Sequence, residues 1–285
     1  MIMEKVTKNI YVETEYPGTN VGLIITDRGL VLVESPYMPE DALDFAQKIK
    51  SISDKEVVYL INTDHHFDHV GTNGFFTKNT VLHELSVRPL EIARIAAQER
   101  AEKILAGDSS QELKNAVKQM EVPKPHIVFS DELSLNMGNL TIHVVHTGGH
   151  AVGTSFIYIP EEKVVFCGDN VVSTRFPYLG QGVYQKWAAA LVRIIHLNVD
   201  YVIPGHEKIC DKAPAHKLLQ FMGDLEENAQ KLFYEVHEEH KVPQSNSDLA
   251  KFFPGIEGWP NPAEQAMADA VRRMYEQFSA QEASF

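Results

Sequence analysis

Cysteine is nearly absent from this chain. Two thiols, Cys167 and Cys210, stand in 285 residues. They cannot make a disulfide framework, and no C-x-x-C pair is present. Long apolar runs are missing as well: no stretch approaches the roughly 20 residues that a membrane helix needs. Basic residues are outnumbered by acidic ones, 26 to 39, for a net charge of −13. This balance argues against a general nucleic-acid binder, whose affinity rests on neutralising phosphates, and against binding to anionic membranes. The opening MIMEKVTKNIYVETE has no apolar core and no cleavage signature, so a cytoplasmic location is expected. Internal repeats and low-complexity linkers are lacking too.

What is present is ordinary globular material, 44% hydrophobic and 23% charged. The expectation is a single domain over 1–285. NVGLIITDRGLVLVES reads as two strands around an Asp27-Arg28-Gly29 turn. PEDALDFAQKIKS (39–51) places Ala42, Phe45, Ala46 and Ile49 on one helical face, with Pro39 suited to the first turn. VVYLI (57–61) is a buried-type strand, and 80–84 suggests another. A helical stretch follows at about 85–120, broken at Gly107-Asp108, which reads as an insertion suited to a lid or an oligomer surface. Strand patterns resume at 127–147 and 154–169, with a turn at Pro160-Glu161-Glu162. A helix near 185–197 and the strand YVIP (201–204) come next. From about 212 the chain is a helical extension punctuated by Pro243, Pro254, Pro260 and Pro262. The order predicts α/β architecture with two mixed sheets and helices outside.

The chemistry concentrates where strands stop. Directly after VVYLI, the six residues Asp64-His65-His66-Phe67-Asp68-His69 hold three histidines and two aspartates. HTGGHAVG adds His146 and His150, VVFCGDN adds Asp169, and VIPGH adds His206. Glycines flank His150, Asp169 and His206, allowing tight turns or close approach to a ligand. Four strand ends delivering His or Asp is the pattern of a metal centre built across loops.

In these four motifs and their order the chain resembles the metallo-β-lactamase fold superfamily. That family carries H-x-H-x-D-H at a strand end, then a distant His in a glycine turn, then G-D, then P-G-H. The resemblance spans 62–206 and implies an αββα sandwich of two mixed β-sheets flanked by helices, with metals at one sheet edge. By motif position it implies His66 and His150 at a first metal, Asp68, His69 and His206 at a second, and Asp169 bridging them. The place of the first motif histidine is taken by Asp64.

That departure leaves three outcomes. Asp64 ligates directly, misses the metal, or orients a neighbouring imidazole by accepting its ring N–H. His65 does not simply replace it, because adjacent side chains near a strand end point in different directions. Direct ligation would lower the net charge of a two-metal, hydroxide-bridged centre from one positive to zero. It would also move metal preference from zinc toward iron or manganese.

The resemblance implies a hydrolase with two zinc ions, in which a hydroxide held between metals attacks an ester, thioester, lactone or related carbonyl. Asp68 would position that nucleophile and pass a proton. Two other readings stand beside it: an iron-dependent oxidoreductase or dioxygenase acting on a sulfur compound, and a non-catalytic binding protein. The expected partner is a small-molecule substrate, with terminal helices that would suit a homodimer. Candidate pocket walls are Phe67, Phe176, Tyr178, Tyr184 and Trp187. His83 and His146 are read as core-edge residues, His126 and His143 as structural, and Cys167 as packing.

Overall fold

Alternation along the strands decides the layers. In β1 (Glu4–Lys5), β2 (Ile10–Glu13), β3 (Val21–Thr26) and β4 (Gly29–Val33), successive side chains face opposite ways. Leu30 and Leu32 of β4 join Leu23, Phe45, Ile49 and Leu60 in one apolar cluster, whereas Val31 and Val33 join Ile10, Ile24 and Ile61 in another. A strand apolar on both faces must be covered on both. Helix α1 (Pro39–Ile52) covers the first face with Ala42, Phe45 and Ile49. A second sheet covers the other.

A computed structural model of the chain describes residues 3–118, 120–236 and 264–282. The first sheet continues through β5 (Val57–Ile61), β6 (Thr80–His83) and β7 (Ile127–Phe129), in the order β1-β2-β3-β4-β5-β6-β7. It is antiparallel up to β4 and parallel from β4 to β7. The second sheet has β8 (Glu132–Asn136), β9 (Thr141–His146), β10 (Ser155–Ile159), β11 (Val164–Gly168) and β12 (Tyr201–Pro204), in the order β12-β11-β10-β9-β8. Only its β11–β12 pair is parallel. Both sheets are therefore mixed, as expected. The chain crosses from one to the other between Phe129 and Glu132, a step invisible in a sequence that reads simply as strand after strand.

Between the sheets, Ile10, Ile24, Val31 and Ile61 meet Ile142, Val144, Ile157, Val164, Phe166 and Ile203. The outer face of the second sheet is covered by α7 (Tyr184–His196), α8 (Ala213–Lys231) and, after a π-helical turn at Leu232–Val236, by α9 (Glu264–Glu282). Trp187, Leu191, Leu218, Met222, Val271 and Met274 pack there on Val165, Cys167 and Val202. The layers run helix, sheet, sheet, helix. Pro243, Pro254, Pro260 and Pro262 lie outside the described residues. Among the described residues no helix is long and apolar enough to cross a membrane.

Five further helices complete the fold: α2 (Phe67–Val70), α3 (Asn73–Phe76), α4 (Glu84–Val87), α5 (Leu90–Ala106) and α6 (Gln111–Val117). The last three lie within the segment marked as helical by composition. Helix α5 sets Leu90, Ala93 and Ala97 against Val70 of α2. Its Arg100 donates to Tyr37 O and Oη and lies over the Tyr37 and Phe67 rings. The segment thus steadies the loop after β5.

One small residue lets the sheets close. A Cβ added at Gly22 on β3 would lie 2.5 Å from the Phe166 ring on β11. Overfilling such a contact costs about 1–3 kcal/mol. Gly22→Val is expected to lower stability by an amount in that range, and the thermal midpoint with it, and Phe166→Leu added to it should recover part of the loss. Unchanged thermal denaturation in the single variant would contradict this packing.

Candidate metal centre

The residues after β5 form the centre through a local backbone device. Asp64 Oδ1 accepts the backbone N–H of His66 at 2.7 Å. This turn, closed by the aspartate on a residue two places on, starts α2, whose N-cap is His66. Asp64 Oδ2 lies 2.8 Å from His66 Nδ1 and 3.8 Å from His150 Nε2. His150 Nε2 lies 3.3 Å from His66 Nδ1. These three side chains form one compact group of donor atoms, all within 4.8 Å of one another.

A second group comprises Asp68, His69 and His206, again within 4.8 Å. His206 Nε2 is 3.3 Å from Asp68 Oδ2, and His69 Nε2 is 4.0 Å from it. Asp169 stands between the groups and divides its oxygens. Oδ1 is 3.6 Å from His69 Nε2 and 3.3 Å from His206 Nε2, while Oδ2 is 3.5 Å from His150 Nε2.

Each side chain is held from behind. Asn170 Oδ1 accepts the His150 backbone N–H, and Asn170 Nδ2 donates to Gly148 O. His206 Nδ1 donates to Gly18 O at 2.6 Å. Gly205 must be glycine, because a Cβ there would lie 2.0 Å from Asp169 Oδ1. Trp187 is fully buried behind His150, with ring centroids 5.4 Å apart. Its indole N–H donates to Asn170 O.

The electrostatics are those of buried acids among imidazoles. Burial alone pushes the Asp64 carboxyl up, but His69 and His66 overcome it and hold Asp64 below the carboxylate range. Asp169 is likewise buried, yet His69 and His150 hold it well below. Burial opposes charge on His69, but Asp64, Glu34, Asp68 and Asp169 raise it well above an ordinary histidine. His66 is raised to about 9 against its burial, by the Asp64 charge and their shared hydrogen bond. His206 is also raised to about 9 against its burial, by hydrogen bonds to Asp169 and Asp68. On His150 burial prevails and lowers the value.

These residues suit a divalent cation at each group. Nε2 of His69 and Oδ1 of Asp169 are buried without a hydrogen-bond partner among the described residues. Such atoms carry a desolvation cost unless something else binds them. With Asp169 shared, each group offers two imidazole nitrogens and two carboxylates, a donor set that suits first-row divalent metals.

All seven residues marked in the sequence as metal-seeking converge here: Asp64, His66, Asp68, His69, His150, Asp169 and His206. His65 belongs to neither group. It is buried, with Nδ1 3.4 Å from Ser86 Oγ. His83 stacks on His146 at 3.5 Å and donates to Ser130 O, away from both groups. Among the aromatic candidates, Phe67 lines a cavity of about 430 Å³ with Tyr37, Asp68, Arg175 and His206. Tyr178 is exposed, its ring 6.0 Å from His150. Three candidates lie elsewhere. Tyr184 is buried and donates to Ala270 O of α9, because the first turn of α7 points it into the helical layer. Phe176 packs on Phe221 of α8. Trp187 backs His150 from the same layer rather than walling the cavity.

Two residues escaped the sequence reading. Glu34 is buried with a left-handed φ of 61° and accepts from Thr63 N and Asn62 Nδ2. Its Oε1 is 3.2 Å from His69 Nδ1. The signal was a carboxylate ending the wholly buried strand GLVLV. Gln181 Oε1 is 3.2 Å from His66 Nε2, and an isolated glutamine in a glycine-rich loop gave no signal at all.

A family model described as the metallo-beta-lactamase superfamily matches residues 16–206. The type 2 metallo-beta-lactamase of Elizabethkingia meningoseptica is 24% identical over 238 residues, 79% of this chain and 86% of its own length. That of Bacillus sp. (strain 170) is 25% identical over 223 residues, covering 74% and 77%. Among solved structures, a metallo-beta-lactamase family protein from Thermus thermophilus has a TM-score of 0.64 at 20% identity, covering 98% of this chain and 95% of that one. The metallo-beta-lactamase from Pontibacter korlensis has a TM-score of 0.60 at 18% identity, covering 78% and 98%. These structures share the fold. With the motif order, the layered sheets and the paired donor groups, the match over 16–206 means that this chain belongs to the metallo-β-lactamase superfamily.

Proposed function

We propose that the chain is a metal-dependent hydrolase acting on a small carbonyl substrate, an ester, thioester, lactone or related compound. One observation carries this reading: Asp169 turns Oδ1 to the second group and Oδ2 to the first, as a carboxylate shared by two cations would. Divalent cations held by Asp64, His66 and His150, and by Asp68, His69 and His206, would polarise a carbonyl and make water nucleophilic at neutral pH.

The chain's own groups have separate tasks. Asp68 is the most exposed of the acids, its side chain 31% accessible, and it faces the cavity. Burial pushes its carboxyl up, but His69 and His206 lower it, so it is ionised and able to take a proton. Tyr37 and Phe67 wall the cavity and would exclude water from a bound acyl group. Glu34, Gly18 O and Asn170 fix the orientation of His69, His206 and His150.

Asp64 bears on the choice of metal. Two dications against Asp64, Asp68 and Asp169 keep one positive charge, which a hydroxide would cancel. A centre so neutral activates water less than one with a fifth imidazole in place of Asp64. The oxygen-rich donor set favours iron or manganese beside zinc. This observation supports the second reading, an iron-dependent oxidoreductase. Elemental analysis of protein purified without added metal separates them: two zincs per chain fit hydrolysis, and one iron fits oxidation.

Three outcomes follow. Asp169→Ala is expected to lose most bound metal from both groups and His66→Ala from one, measured by elemental analysis; unchanged content in both variants would overturn the assignment. Asp64→His is expected to tighten zinc binding and raise hydrolysis across a panel of esters, lactones and a β-lactam at pH 7. An unaltered zinc affinity would place Asp64 outside the ligand set. Finally, His66 and His206 rest at about 9, so both are protonated at neutral pH until metal displaces the protons. Zinc added at pH 7 to weakly buffered protein should release protons, and the release should shrink as pH rises past about 9.

A further inference from the structure

The loop between β11 and α7 starts with Asp169 and Asn170 beside His150, and near its far end Gln181 reaches the His66 ring. Gln181 Oε1 lies 3.2 Å from His66 Nε2. His66 turns its other nitrogen, Nδ1, to Asp64 and His150. An imidazole that binds metal through Nδ1 must carry its proton on Nε2, and a partner that accepts that proton fixes both tautomer and ring orientation.

Three imidazoles of the centre have an outer nitrogen facing a protein acceptor, and the acceptors differ in kind. His206 Nδ1 faces the buried carbonyl of Gly18, and His69 Nδ1 faces the buried carboxylate of Glu34. His66 faces the amide oxygen of an exposed side chain on a loop. A neutral amide on a loop accepts as well as a carbonyl, but only while something holds the loop.

Helix α9 supplies that hold. Gln277 Nε2 donates to Gly182 O at 3.0 Å, and Gln277 Oε1 accepts from Tyr184 N at 3.4 Å. One side chain therefore clasps the backbone on both sides of Val183, next to Gln181. Gly182 is pressed to the Trp187 ring, where an added Cβ would sit 3.1 Å away. Tyr184 Oη, donating to Ala270 O, ties the same turn to α9 a second time. The path runs from α9 through Gln277 and the loop to Gln181 and then His66.

We propose that Gln181 is a positioning residue for His66, held in place by Gln277, so that the C-terminal helix sets the metal affinity of the first group. The proposal rests on His66 being a metal ligand. It gives the C-terminal helix, otherwise a packing element of the outer layer, a part in the chemistry of the centre.

The test titrates the full-length, metal-depleted chain with zinc against a competing chelator to obtain two stepwise dissociation constants. His66→Ala marks which constant belongs to the first group. Gln181→Leu is expected to weaken that constant about ten- to a hundred-fold and leave the other unchanged. Gln181→Glu, which keeps an acceptor oxygen, should restore it. Gln277→Leu should weaken the same constant by a smaller factor, with the thermal midpoint confirming that each variant is folded. Wild-type constants in Gln181→Leu, equal weakening of both constants, or no rescue by Gln181→Glu would overturn the proposal alone. A wild-type chain that takes up no zinc, or His66→Ala with both constants intact, would overturn the metal reading and this proposal with it.

Discussion

Three aspartates converge on one hollow, and their mutual repulsion is the constraint that the rest of the structure serves. Asp64 and Asp169 are buried, and Asp68 is mostly so. Carboxylates do not gather in low dielectric unless positive charge or protons join them. Around them stand His66, His69, His150 and His206, three of the four raised in basicity by those acids. Imidazolium charge can balance the cluster without metal, and cations can replace it. Proton and metal therefore compete for the same nitrogens, which couples occupancy of the site to pH.

The replacement of a histidine by Asp64 makes the two halves of the centre alike. Each has one aspartate of its own, two imidazoles and a share of Asp169. Asp64 joins a backbone role to a place among the donor atoms. Its Oδ1 accepts the His66 backbone N–H, and its Oδ2 stands 2.8 Å from His66 Nδ1 within the first group. A short carboxylate can do both because its two oxygens point apart. A histidine in that place offers a single acceptor nitrogen and could not serve both.

Rigidity comes from the sheets and adjustability from the loops. Glu34, Asp64 and Asp169 stand at or just past the ends of β4, β5 and β11, strands buried between layers. The backbone there is fixed by ladder hydrogen bonds, so the side chains need little further ordering on binding. The loop of residues 173–183 has no such ladder; Glu207 holds Ser173 and Thr174, Gly149 O accepts the Val183 N–H, and Gln277 and Trp187 brace Gly182. The helices of 84–117 play a similar part on the other side, through Arg100 behind Tyr37 and Phe67.

The order of strands and helices, the two mixed sheets and the seven metal-seeking residues were legible in the chain. Periodicity marks buried faces, and ligand-type residues beside glycine at strand ends have few other uses. The sequence by itself determined which chemistry is available. Tertiary structure decided which neighbours meet. It sent Tyr184 and Phe176 into the helical layer, left Tyr178 near His150, buried His65 against Ser86, and brought Glu34, Gln181 and Gln277 into play. A carboxylate at a strand end or a glutamine on a loop carries no local pattern. Its role depends on contacts across tens of residues, from Gln181 back to His66 and on to Gln277, and such contacts exist only once the layers have packed.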